Sequence, residues 1–139
     1  MISVVNRSNA KYYNTVCDKM DDIMHVGNIS LLEAAKWSCV TSQSTKYEDK
    51  GFVGIFQIGK EWWCSPTGGG ICKVACVKFL DDDIRDDFEC AMKIYKGHDN
   101  TFSAWPGNEL CLEKQAEIRA SKCHKQLESE IPESVEDFN

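Results

Sequence analysis

No stretch of the 139 residues approaches the roughly 18 to 20 consecutive apolar residues that a membrane helix needs. Residues Met1 to Asn6 are likewise too short for the apolar core of a secretion signal, so the sequence reads as a mature form behind an added initiator methionine. Cys-x-x-Cys pairs are absent, and the three histidines, His25, His98 and His124, stand at no zinc-finger spacing from a second cysteine pair. Positive charge is in deficit. Sixteen Lys and Arg against 22 Asp and Glu leave a net charge of −6, and such a chain gains nothing electrostatically from nucleic acid or anionic lipid. There is no internal repeat and no low-complexity run.

What is present is cysteine. Eight in a chain of this length, an even number, point to disulfides formed in an oxidising, extracellular setting. Two glycosylation sequons, Asn6-Arg7-Ser8 and Asn28-Ile29-Ser30, fit secretion. The length suits one globular domain. After the last cysteine, Cys123, the segment 124–139 carries five acids against Lys125 and contains Pro132, so it reads as an acidic, flexible tail behind a domain of 1–123.

Apolar residues at helical spacing from Tyr12 to Met24, with Gly27 beyond, predict a first helix beginning near Asn9. Ser30-Leu-Leu-Glu33 is a capping box, in which the Ser hydroxyl and the Glu carboxylate each satisfy a free amide of the other's residue. It predicts a second helix to about Thr41 that buries Leu32, Ala35 and Cys39. Gly51 to Ile58, β-branched and aromatic between glycines, predicts a short strand region. Helical spacing returns from Asp83 to Lys96, closing at Gly97. Phe102 to Leu112 reads as a shorter helical or irregular segment interrupted at Pro106-Gly107. Helices, a small β region and helices again make an α+β domain.

Lys78 to Asp87 holds five carboxylates in seven residues, from Asp81 to Asp87. One or two acids could simply complement the positive end of the helix that follows. Five repel one another too strongly for that explanation and call for a cation. Calcium, which takes six to eight hard oxygen ligands, suits a loop followed by a helical turn. The spacing gives carboxylates to Asp81, Asp86 and Asp87 and backbone carbonyls to Lys78 and Asp83, with Asp82 facing solvent. The EF-hand pattern is absent.

This decapeptide resembles the calcium loop of alpha-lactalbumin and of the calcium-binding lysozymes. Trp37-Ser-Cys39, Gly54-Ile-Phe-Gln-Ile58, Trp62-Trp63-Cys64, Cys72-x3-Cys76, Cys90-Ala-Met-Lys-Ile94 and Ala104-Trp105 follow the c-type lysozyme pattern in order, over about Tyr12 to Cys123. The resemblance implies a lysozyme-like fold with a helical part, a small, shortened antiparallel β region and four disulfides. They would pair Cys17 with Cys123, Cys39 with Cys111, Cys64 with Cys76 and Cys72 with Cys90. It also implies Gln57, Trp62, Trp63 and Trp105 as sugar-facing residues, one of the adjacent indoles exposed and the other packed. Gly59, in place of a polar family residue, and Pro106-Gly107 would weaken the cleft.

The family's chemistry requires one protonated and one ionised carboxyl across the glycosidic bond. The family motif places them at Ser44 and Phe52, neither of which can serve, and the only nearby acids are Glu48 and Asp49. The leading expectation is a secreted, monomeric, non-catalytic, calcium-binding protein that recognises glycan, such as bacterial peptidoglycan in innate immunity, or a protein partner. The alternatives are an active muramidase with relocated acids and a partner-binding module of the alpha-lactalbumin or gamete-contact kind.

Overall fold

A computed structural model describes residues 11–41, 51–65 and 68–129. Ser44, Glu48, Asp49, the first sequon and the residues from 130 onward lie outside them. The order is α1 (Val16–Gly27), α2 (Leu31–Thr41), the strands β1 (Phe52–Val53) and β2 (Ile58–Gly59), a 3-10 turn at Cys76–Leu80, α3 (Arg85–Gly97), a second 3-10 turn at Pro106–Leu110, and α4 (Glu113–Ser129). This is the expected helical domain with a small two-stranded antiparallel sheet and four disulfides. Phe52 pairs with Gly59 and Val53 with Ile58, and the turn between the strands closes with the Gln57 N–H donating to the Gly54 carbonyl at 3.1 Å.

Local chemistry explains the boundaries. α1 starts at Val16 rather than near Asn9, because the Thr15 side chain accepts the Asp18 N–H at 3.0 Å and so caps the helix there. Tyr13, expected inside that helix, instead donates its hydroxyl to Asp22 at 2.6 Å, while Tyr12 is exposed. At the other end Gly27 is the last helical residue and Asn28 takes the left-handed conformation, with φ 52°. The capping box forms as expected: Ser30 N–H to Glu33 Oε1 is 3.0 Å and Glu33 N–H to Ser30 Oγ is 3.1 Å.

α2 is more deeply sunk than its sequence pattern indicated. Ala34, Ala35 and every residue from Trp37 to Thr41 are buried, whereas Leu32 is only partly so, because α1 covers one side and α4 and the Pro106–Leu110 turn the other. α3 starts at Arg85, two residues later than expected, since the Asp83 carboxylate accepts the Arg85 N–H and holds Asp83 outside the helix. Pro106 opens its 3-10 turn instead of interrupting a segment, a position where its missing N–H costs nothing.

The helix α4 has no counterpart in the sequence reading. Ala116 and Cys123 are its only fully buried residues among those described, too sparse a stripe to reveal the period. It runs on through 124–129, so the helix continues past the point where the acidic tail was taken to begin. The disulfides join Cys17 to Cys123, Cys39 to Cys111, Cys64 to Cys76 and Cys72 to Cys90, the pairs implied by the resemblance. The core centres on Trp37, whose ring meets those of Phe56, Phe88, Tyr95, Phe102 and Trp105 at centroid distances of 4.8 to 5.8 Å.

Candidate metal centre and sugar-facing residues

The acidic loop leaves the first 3-10 turn at Asp81 and enters α3 through Asp86 and Asp87, and this geometry folds three carboxylates onto one another. Asp81, Asp86 and Asp87 each present an oxygen within 4.8 Å of the others. Asp87 is the inner member. It is 1% exposed, and among the described residues neither of its carboxylate oxygens has a hydrogen-bond donor. Burial first, and then the neighbouring Asp86, push its pKa up to about 9.

A buried carboxylate with no donor is costly unless it is neutralised by a proton or a cation. Two further carboxylates beside it supply hard oxygens and no donors, so the group fits a hard divalent cation. The tethers are in place as well, because Cys72–Cys90 and Cys64–Cys76 fix the chain on both sides of the loop.

Lys78 lies within the 3-10 turn, and Asp82 is exposed. The Asp83 carboxylate is taken up by Arg85, whose Nε donates to Oδ1 at 3.0 Å and whose terminal nitrogen donates to Oδ2 at 2.7 Å. Those bonds hold the Asp83 carboxyl down to about 2. Arg85 had no role in the sequence reading. Its signal was its position two residues after Asp83.

Gly54 is a second residue the sequence reading did not assign to this centre. A Cβ built there would stand 2.8 Å from the Phe79 carbonyl oxygen and 3.3 Å from Asp87 Oδ2, and its φ is +80°. The hairpin turn thus presses its bare backbone against the loop, which only glycine permits. Gly54→Ala is expected to destabilise the fold by about 1–3 kcal/mol in denaturant titration, through strain and overlap together.

The sugar-facing set divides differently. Trp62 is 61% exposed and Trp63 8%, their rings 6.4 Å apart and inclined by 54°, so one indole faces solvent and the other packs inward. Gly59 accommodates both, since a Cβ there would lie 3.3 Å from the Trp63 ring and 3.7 Å from that of Trp62. Gln57 and Trp105, however, are core residues in this structure rather than cleft-lining ones. Gln57 donates its side-chain amide to the Thr41 carbonyl, and Trp105 donates its indole N–H to the Phe56 carbonyl at 2.8 Å. Each has its polar group committed to backbone, which is what burial of such side chains demands. Phe52, on β1, is partly buried and carries no ionisable group.

A disulfide-framed α+β domain with an acidic triad, its inner member buried, beside a short hairpin is the class of protein that fold and site define. A family model described as "C-type lysozyme/alpha-lactalbumin family" matches residues 13–123, and the chain belongs to that family. Alpha-lactalbumin of Rattus norvegicus is 34% identical over 122 residues, which is 77% of this chain and 72% of the relative. Alpha-lactalbumin of Capra hircus is 36% identical over 91 residues, 57% of this chain and 62% of the relative. Lysozyme c-1 of Anopheles gambiae is 51% identical over a shorter span of 55 residues, 39% of this chain and 38% of the relative. The chain thus spans between about two fifths and three quarters of the length of these relatives.

Proposed function

We propose that this is a secreted, calcium-stabilised binding protein that uses a lysozyme scaffold without its hydrolytic chemistry. The observation that carries the reading is Phe52. At the position where the family motif calls for an ionised carboxylate stands a hydrocarbon, partly buried in the hairpin, ten residues before an indole left open to solvent at Trp62. Hydrolysis of a glycosidic bond needs two carboxyl groups across it, whereas recognition needs only a face to stack on and groups to orient.

Calcium would be held by the carboxylates of Asp81, Asp86 and Asp87 and by the carbonyls of Lys78 and Asp83. There it supplies the positive charge that the buried Asp87 lacks. Its role is to fix the loop between the first 3-10 turn and α3, not to act on a substrate. Four disulfides and the affinity of an oxygen-lined site for calcium both suit an extracellular setting.

Trp62 is the proposed stacking face for the sugar rings of peptidoglycan or chitin fragments. Trp62→Ala should abolish retention on insoluble peptidoglycan while changing stability by no more than about 0.5 kcal/mol, since the side chain is mostly in water. Retention undiminished in that variant, or no association of the unaltered chain at millimolar concentration, overturns the glycan reading. A partner-binding module in the manner of the alpha-lactalbumin relatives is the second reading, favoured by the burial of Gln57 and Trp105, which narrows the surface open to sugar. Affinity capture from the native secretion separates the two.

A further inference from the structure

The sequon Asn28-Ile29-Ser30 falls in the turn that joins α1 to α2, and neither the acidic loop nor the exposed indole gives it a role. The turn is held by its own backbone amides. The N–H groups of Asn28 and Ile29 both donate to the Met24 carbonyl, the latter at 3.2 Å, and the Ser30 N–H donates to Glu33. Beneath the turn α1 ends hard against α3, since a Cβ on Gly27 would stand 2.7 Å from the Phe88 ring. Ile29 is partly buried and packs against the core, while Asn28 and Ser30 on either side of it are exposed.

Both polar residues of the sequon have work in the turn, and neither spends on it the group a glycan would need. Asn28 takes the left-handed conformation, with φ 52°, which asparagine tolerates better than most residues. Among the described residues its side-chain carboxamide makes no hydrogen bond. Ser30 caps α2 by accepting the Glu33 N–H at 3.1 Å, and its own hydroxyl proton stays free. The nearest helical residues on the outer side, His25 and Glu33, are exposed as well. A bulky, hydrated group on Asn28 Nδ2 therefore displaces no packed side chain and breaks no bond of the turn.

We propose that Asn28 carries an N-linked oligosaccharide, a modification whose acceptor is an asparagine with a hydroxyl residue two places on. The inference rests on the reading of the chain as secreted. The donor is a lipid-linked oligosaccharyl pyrophosphate. Asn28 Nδ2 bonds to the anomeric carbon of its first sugar, the bond from that carbon to the pyrophosphate oxygen breaks, and the lipid pyrophosphate and one Nδ2 proton are released. The turn shares no residue with the acidic loop or with Trp62, so the glycan is an addition to those sites and not a part of either.

Export of the full chain from a eukaryotic secretory host tests this, with the tryptic peptide 20–36, whose only asparagine is Asn28, read by mass spectrometry. Most secreted molecules should carry hexose and N-acetylhexosamine mass on this peptide, and peptide-N-glycosidase should remove it while converting Asn28 to aspartate. Asn28→Asp and Ser30→Asp should each abolish the modification. Aspartate tolerates the left-handed conformation and also caps helices, so both variants should melt with the enzymatically deglycosylated chain. Ser30→Thr, which keeps both the cap and the sequon, should keep the glycan. An unmodified peptide 20–36 in secreted protein, or a modification that survives Ser30→Asp, overturns the proposal and leaves the secreted reading standing. A folded chain that never leaves the cell overturns that reading and the proposal with it.

Discussion

Adding a calcium chelator should lower the melting temperature by roughly 10 to 15 °C, because at free calcium about 1,000 times the dissociation constant a native-only site contributes about 4 kcal/mol. Scanning calorimetry with and without chelator reads the shift directly. The energy resides in Asp87. Its carboxylate is buried without a donor, so the folded chain gains from whatever neutralises it, and the unfolded chain, with that group in water, does not. Asp87→Asn removes the charge and should remove the calcium response with it, while the calcium-free variant stays folded. An unchanged melting temperature on chelation, or a full calcium response in Asp87→Asn, overturns the site.

The same residue gives the calcium-free protein an unusual pH dependence. Asp87 titrates at about 9 in the folded chain against an ordinary value of 3.8, so between those limits the folded state binds a proton that the unfolded state has released. Stability therefore falls as pH rises from about 4 towards 9, and chelated protein should melt higher at pH 5 than at pH 8. With calcium present the dependence reverses in this range, because the ion requires the ionised form and acid expels it. Asp87→Asn should flatten the calcium-free slope. Equal slopes in the unaltered chain and the variant would show that the titration lies elsewhere.

How much of this was legible in the sequence depends on whether the determining interaction was local. The capping box at Ser30 and Glu33 spans three residues and could be read directly, and so could the acidic loop, whose carboxylates are crowded by the chain itself. The start of α1 could not be placed: Tyr12 and Tyr13 continue the apolar spacing, but the Thr15 cap and the Tyr13 bond to Asp22 decide against them. α4 was missed because its helix presents so little apolar surface to the core. The burial of Gln57 and Trp105 is a long-range fact. Their partners, the carbonyls of Thr41 and Phe56, are 16 and 49 residues away, and no pattern within either motif specifies them. Of Trp62 and Trp63 the sequence could say that adjacent indoles diverge, and the packing of Trp63 against Trp105 at 6.1 Å determines which turns inward.

Incubated with bacterial cell walls, the purified chain should release soluble fragments at least about 100-fold more slowly than an active lysozyme assayed beside it, since a positioned acid or base is typically worth 100- to 10,000-fold. The family's mechanism uses two such groups, one to protonate the leaving oxygen and one to stabilise or capture the sugar cation. Phe52 supplies neither charge nor proton. It is held in the hairpin by pairing with Gly59, and its half-buried position would also penalise a carboxylate introduced there without a donor. At the other position a serine hydroxyl is far too weak an acid to replace a carboxyl at neutral pH. An active muramidase would therefore have to draw on Glu48 and Asp49, and that reading makes its own demand: lysis within a few-fold of the reference enzyme, abolished by Glu48→Gln or Asp49→Asn. Lysis of that kind would overturn the non-hydrolytic reading. Retention on the same walls without lysis, lost on Trp62→Ala, is the outcome that Phe52 and the exposed indole jointly require.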